Sequence, residues 1–158
     1  MGMKKTGDWD EVRKLIDTAP QRVQAINQRS LQRVGLKAER MAVKFIKNQS
    51  LSWAPLNPAY LKWKLDNNKS EKTLVSDSTY FQSITSIVEK NVAFAGVSKK
   101  VKNADGDTVA DIARIHEFGS VARNIPARPL WGVVFKHIKT FVVNKNFFAR
   151  EVINELKS

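Results

Sequence analysis

The sequence predicts an α+β fold, with a long N-terminal helix and a C-terminal helix packed on a small, mainly antiparallel sheet. Three observations carry that expectation. Residues 20–49 hold a single proline, at their start, and an apolar pattern of helical period. Residues 83–97 hold two short β-branched runs separated by a polar turn. Residues 144–156 return to helical spacing, with Phe148, Val152, Ile153 and Leu156 apolar.

Asp8-Trp9-Asp10-Glu11 reads as a capping box, with Asp8 as N-cap and Glu11 three residues on. A short helix should follow, from about Trp9 to Asp17. Thr18-Ala19-Pro20 is expected to break it, because proline lacks an N–H and suits the first turn of a new helix. The second helix then runs from about Pro20 to Gln49. Gly35 is its weak point, costing about 1 kcal/mol relative to alanine. On a helical wheel Val23, Leu31, Val34, Ala38, Met41, Ala42 and Phe45 share an arc of about 100°, the expected core face. Arg22, Arg29, Arg33, Lys37, Arg40, Lys44 and Lys47 share another arc of about 80°, centred about 120° away, with Ile26 as a misfit inside it. Glu39 is the one acid between Pro20 and Ser50, and it lies outside the basic arc.

After Ser50 the chain changes character. Pro55 and Pro58 interrupt regular structure, and Asn57-Pro58 should start a short helix through Leu65. Asp66 to Lys72 is a polar loop. Leu74-Val75-Ser76-Asp77-Ser78 leads through a helical turn into Tyr80, Phe81 and Ile84. Ser83–Val88 and Val92–Val97 read as a hairpin, turning at Glu89-Lys90-Asn91. Ser98 to Asp107 is a polar flap. Thr108 to Phe118 has Val109, Ile112, Ile115 and Phe118 at helical spacing, so Phe118 should anchor the helix and Gly119 should cap it in the left-handed conformation. Asn124 to Pro129 is extended, because residues before proline avoid the α region. Leu130 to Val143 fits helix or strand, and the tail from Asn144 to Leu156 should be helical.

The 158 residues make one domain, 1–158, large enough to bury a core with 42% hydrophobic residues. No run approaches the ~20 apolar residues of a membrane span, and the N-terminus lacks the apolar run of a signal peptide. Gly2 matches a myristoylation pattern only weakly. Without cysteine the chain has neither disulfides nor thiolate metal ligands, which fits synthesis in a cytoplasm. The net charge of +12 points to an anionic partner, most often nucleic acid. The basic arc is the strongest physical signal, since a solvated face usually mixes signs. Its cations suit DNA, an acidic neighbouring subunit or plain solvent. No helix-turn-helix, zinc-finger or RNA-binding signature accompanies them, so sequence-specific reading is not expected.

No catalytic constellation stands out. His116 and His137 are the two histidines, and His116-Glu117 are adjacent on a helix, so they do not face one another. There is no His-Glu-x-x-His, Gly-x-Ser-x-Gly or P-loop pattern. Asp105 and Asp107 flank Gly106 like a fragment of a calcium loop, but the closing glutamate is missing. The expectation is a non-enzyme without metal or cofactor.

Ile115-His116-Glu117-Phe118-Gly119-Ser120, followed by Ile125-Pro126-Ala127-Arg128-Pro129-Leu130, resembles the tailed-phage virion-morphogenesis and tail-component families, which include Mu protein G-like tail-completion and siphophage neck proteins. Trp53-Ala54-Pro55-Leu56 looks like their Trp-x-Pro-Leu segment, and Leu74-Val75-Ser76-Asp77-Ser78 with Ser83-Ile84 like their Leu-Ile-Asp-Thr-Gly…Ser-Ile segment. Leu130 stands where phenylalanine is usual and Ser78 where glycine is. The likeness runs from about Trp53 to Leu130 with motif order preserved.

That resemblance implies a structural virion protein of the neck or tail top, made in the host cytoplasm. It would form a homo-oligomeric ring of six copies, or twelve, between portal or adaptor proteins and tail-tube or tail-terminator proteins, with double-stranded DNA passing through and no membrane involved. Subunit contacts would fall on His116, Glu117, Phe118, Gly119, Ile125, Pro126, Arg128 and Pro129. Pro126 and Pro129 stiffen a segment that would hold Arg128 against a neighbour; otherwise Arg128 caps a helix or pairs with Glu117 in its own subunit. The rival from a different class is a monomeric, non-specific nucleic-acid-binding accessory protein that uses the same basic arc.

Overall fold

The computed structural model describes residues 7–76 and 78–157, without the side chains of residues 156 and 157. Gly2, Asp77 and the Leu156 side chain therefore lie outside the described residues. In chain order the elements are α1 (Trp9–Asn48), α2 (Pro58–Asp66), α3 (Thr79–Gln82), β1 (Ile84–Glu89), β2 (Val92–Val97), α4 (Val109–Phe118), α5 (Trp131–Asn144) and α6 (Phe147–Lys157). The two strands pair antiparallel, as expected for an α+β chain.

α1 begins as the sequence predicts, with Asp8 accepting from the Glu11 N–H at 3.1 Å. The expected break at Thr18-Ala19-Pro20 is absent, and Pro20 lies inside one continuous helix. An interior proline costs about 3 kcal/mol. Here the carbonyl that loses its donor lies in a hydrated stretch, since residues 7–18 are exposed. Packing from Ile26 onward and the Asp8 cap hold the helix on either side of Pro20. At the other end Gln49 takes a left-handed conformation and ties α1 to the loop beyond α2. Its side chain donates to the Thr73 carbonyl at 3.0 Å and accepts from the Thr73 N–H at 2.9 Å.

The core face also departs from the wheel. Ala38 and Ala42 are buried and Leu31, Val34, Met41 and Phe45 half-buried as expected, but Val23 is 40% exposed and Ile26, placed in the basic arc, is 3% exposed. The cause is that α1 is covered on two flanks. The hairpin lies along one flank, and α5 and α6 lie along another. Gly35 lies directly against the hairpin: a Cβ there would stand 3.1 Å from the Ser86 Cβ, a tight contact. The helix weak point thus coincides with close packing. Beside it, the Ser86 hydroxyl donates to Glu39 at 2.9 Å.

The hairpin pairs Ile84 with Val97 and Glu89 with Val92, so Glu89 belongs to the strand and the turn is Lys90-Asn91 alone. Lys90 adopts φ 54°, and its carbonyl accepts from Gln28 of α1. Ile84, Ser86 and Val88 face inward; Ile87, Val92 and Phe94 face water. The ambiguous stretch after Leu130 is helix α5, which buries Val134 and Ile138, and Asn146 at φ 45° separates it from α6. α6 packs on α1 and α5. The core joins Ala38, Ala42 and Ile46 of α1 to Tyr80, Ile84, Val109, Leu130 and Val134.

Pro20→Ala restores the missing helical hydrogen bond in an exposed segment otherwise held by the Asp8 cap. It should stabilise the first turns of α1 by up to about 3 kcal/mol. Hydrogen exchange of the Val12–Thr18 amides should slow accordingly; unchanged exchange would mean that Pro20 does not limit this helix.

Candidate functional site

A segment more than sixty residues upstream meets two neighbouring segments where α4 ends and α5 begins. The first is Trp53-Ala54-Pro55, which enters α2. Its Trp53 indole N–H donates to the Pro129 carbonyl at 2.9 Å. The second is the C-terminal turn of α4, His116 to Gly119. The third is Ile125 to Leu130.

Arg128 ties the first and third segments together. Its Nε donates to the Ala54 carbonyl and its terminal NH2 group to the Pro55 carbonyl, both at 3.0 Å. Its backbone N–H donates to the His116 carbonyl at 2.6 Å. Glu117 ties α4 to α5. One carboxylate oxygen accepts from the Leu130 and Trp131 N–H groups at 2.7 and 2.9 Å, and the other from Gly132 at 2.8 Å. These are the donors that the start of a helix leaves unpaired, and a negative charge there also meets the positive end of the helix dipole. Leu130, at the N-cap, offers no side-chain acceptor of its own.

Gly119 has φ 76° and ψ 175°, a region essentially restricted to glycine, and it is not the left-handed cap expected after α4. A Cβ at this position would stand 2.9 Å from the Ala127 nitrogen and 3.0 Å from the Ile125 carbonyl oxygen. Between them, Ser120 and Ile125 exchange backbone hydrogen bonds of 2.8 and 2.9 Å, closing a small tip around Val121 to Asn124. Phe118 is 78% exposed and Val121 is fully exposed, so Phe118 presents a face to solvent and does not anchor α4.

The stiff-arm expectation is thereby corrected for Arg128. A side chain 4% exposed, with its donors on its own backbone, has no face left for a neighbour. Nor does it pair with Glu117, whose carboxylate is engaged at α5. Pro126 and Pro129 are exposed, Ile125 and His116 half-buried.

A cavity of about 990 Å³ opens beside this knot, with Tyr60, Trp63, Lys64, Lys69, His116 and Arg128 among its lining. Tyr60 and Trp63 stack at 5.7 Å. Lys64 is buried, and its ammonium donates to the Lys72 and Val75 carbonyls at 2.8 and 2.6 Å. Burial lowers its pKa, and Lys69 lowers it further. Burial, aided by the Arg128 charge, pushes the His116 imidazole down to about 4. The His116 Nδ1 has no partner among the described residues. Lys64 carried no signal in the sequence, because lysines are almost never buried unless paired. Among the described residues no group of His, Cys, Asp or Glu is placed to hold a metal.

The seven cations of the basic arc are all exposed, but they do not share one environment. Arg29 pairs with Glu155 at 3.0 Å and Arg33 with Glu151, both acids on α6. Arg22 reaches the Glu155 carbonyl at 3.4 Å. Lys37 lies 4.5 Å from the centre of the Phe141 ring, and Lys47 lies 5.4 Å from that of Phe81. Arg40 and Lys44 carry no ion pair among the described residues.

Arg128→Ala should destabilise the fold by about 3 kcal/mol, from two lost charge-assisted hydrogen bonds and the void left by a buried side chain. Glu117→Gln should cost about 1–2 kcal/mol through the weakened cap. Urea unfolding measures both, and an Arg128→Ala midpoint equal to that of the parent would contradict the knot. His116 supplies a pH test. Its folded pKa of about 4 lies below the ordinary 6.5, so the unfolded chain binds the extra proton. Its contribution, about 3 kcal/mol, is complete above pH 6.5 and is lost as pH falls toward 4. His116→Asn should flatten the rise of stability with pH across that window; an unchanged slope would place the proton elsewhere.

No protein-family model matches the chain, and neither does a curated protein or a solved structure.

Proposed function

We propose that the chain is a structural protein of a tailed-phage virion, acting as a ring subunit at the head–tail joint and catalysing no reaction. The single observation that carries this proposal is the convergence of the motifs behind the resemblance. Trp53-Ala54-Pro55, His116-Glu117-Phe118-Gly119 and Ile125-Pro126-Ala127-Arg128-Pro129 close on one another through Trp53, Arg128 and Glu117. Motifs joined by hydrogen bonds are one structural unit, so their joint occurrence weighs more than three separate short matches. The exposed Phe118 and Val121 beside the knot offer an apolar subunit contact in place of Arg128.

In this reading the ring sits between portal or adaptor proteins and tail-tube or tail-terminator proteins, in six copies or twelve. Arg40, Lys44 and Lys47, at the end of the basic arc farthest from α6, face DNA or an acidic neighbour. Arg22, Arg29 and Arg33 already have partners on α6. A second reading, a monomeric non-specific DNA binder, rests on the same exposed cations and the +12 charge.

Electron microscopy of particles carrying a tagged chain should find the tag at the head–tail junction, and particles lacking the chain should show filled heads separated from tails. A tag absent from purified particles would overturn the proposal. The isolated chain should bind duplex DNA without sequence preference at about 10⁻⁴ to 10⁻⁶ M in physiological salt. Arg40→Glu with Lys44→Glu should weaken that binding and reduce its salt dependence while leaving the melting curve unchanged. Nanomolar binding by the monomer would favour the second reading.

A further inference from the structure

Two apolar surfaces of this chain face water, and they are complementary in kind. One is a helix without a layer to lie on. The first turns of α1 bring Trp9, Val12, Ile16, Ala19 and Val23 onto one stripe, at alternating spacings of three and four, with Leu15 beside it. Trp9, Val12 and Leu15 are about half exposed, and Ile16 is 67% exposed. A solvent-exposed helix of about three turns, interrupted by a proline, is marginal in water by itself. The other surface is a sheet face that no described residue covers. Ile87 and Phe94 are paired across the hairpin, Val92 follows on the same face, and all three are about half exposed. Domains bury such faces by adding a helical layer.

The two cannot meet within one molecule. α1 already lies against the inner face of the hairpin, through Gly35 and Ser86. The Lys90 carbonyl at the hairpin turn meets α1 at Gln28, so Trp9 to Thr18 extends beyond the turn. A helix that is continuous through this region does not double back to the opposite face.

We propose that the N-terminal arm of α1 in one copy lies on the outer face of the hairpin in a second copy of this chain. The lengths agree. The stripe from Trp9 to Val23 spans about 21 Å and a six-residue strand about 20 Å. Charge favours the same partner. Asp8 to Asp17 holds four acids and two bases, and with Lys4 and Lys5 before it the arm is neutral, so the whole +12 lies on the rest of the chain. A neutral arm lacks the basic charge that draws a helix to anionic membranes or DNA, and its four carboxylates can meet lysines of a second copy. Lys90 stands at the hairpin turn and Lys99, Lys100 and Lys102 follow β2, with Glu89 as the acid on the outer face. Because the two patches differ, the contact is head-to-tail, and repeating it gives a ring or an open filament. Closure into a ring rests on the virion reading; the contact itself does not.

The test uses the full chain and light-scattering mass measurements. The parent chain should give multiples of the chain mass that fall on dilution. Ile16→Asp and Phe94→Asp should each give a single chain mass with an unchanged melting curve, because both positions are already at least half exposed. An equimolar mixture of the two should recover twice the chain mass. It pairs the intact arm of the Phe94→Asp chain with the intact hairpin of the Ile16→Asp chain. Leu15→Lys and Ile87→Lys repeat the design should either aspartate variant misfold.

A parent chain that stays at one chain mass would overturn the inference, as would a mixture that does not associate. Association abolished by the arm variants alone would assign an arm-to-arm coiled coil; abolished by the hairpin variants alone, a hairpin-to-hairpin contact. Either result overturns the inference as well. A chain that passes this test but is absent from purified particles keeps the contact and loses the virion role.

Discussion

The close packing of the hairpin against α1 at Gly35 constrains the rest of the molecule. A two-stranded hairpin is at best marginal in water unless one face is covered. Here α1 provides the cover, and the absence of a side chain at Gly35 lets Ser86 come within 3.1 Å of where a Cβ would stand. The small residues Ala38 and Ala42 continue the same surface and are almost completely buried. With one flank of α1 occupied by the hairpin, α5 and α6 occupy another, and the core fills between them.

The knot around Arg128 and Glu117 closes the far end of this arrangement. Neither residue belongs to a regular hydrophobic pattern, yet together they position three segments that carry little secondary structure of their own. Glu117 replaces the missing N-cap of α5, and Arg128 takes up two carbonyls in a segment that Pro55 and Pro58 leave without regular hydrogen bonding. Gly119 belongs to the same constraint, because the chain passes too close to Ala127 for any side chain. Residues that resemble an interface motif thus act first as internal braces. The apolar groups freed for outside contact are the neighbours Phe118 and Val121.

Charge is distributed with similar economy. The basic arc of α1 is partly neutralised by Glu151 and Glu155 of α6, so the C-terminal helix is held by ion pairs as well as by apolar packing. These pairs are largely exposed on the arginine side, and each contributes well under about 1 kcal/mol. Their larger effect is on orientation, since they leave Arg40 and Lys44 as the accessible end of the arc.

Much of the local structure was legible in the sequence because it depends on neighbours in the chain. The Asp8 cap and the Asn57-Pro58 helix start arise from side chains within four residues of the backbone they satisfy, and the hairpin from two β-branched runs joined by a short polar turn. The α+β class followed from these elements, and the motif residues near Trp53, Glu117 and Arg128 stood out as a site. Tertiary structure decided what depends on distant partners. It carried α1 through Pro20, because packing beyond Ile26 and the Asp8 cap hold the helix on either side. It buried Ile26 and left Val23 exposed, because two flanks of α1 are covered where a single-stripe wheel allows one. It turned Arg128 inward, because carbonyls more than seventy residues away needed donors. Local pattern reports which groups must be satisfied, and only the fold brings together the groups that satisfy them.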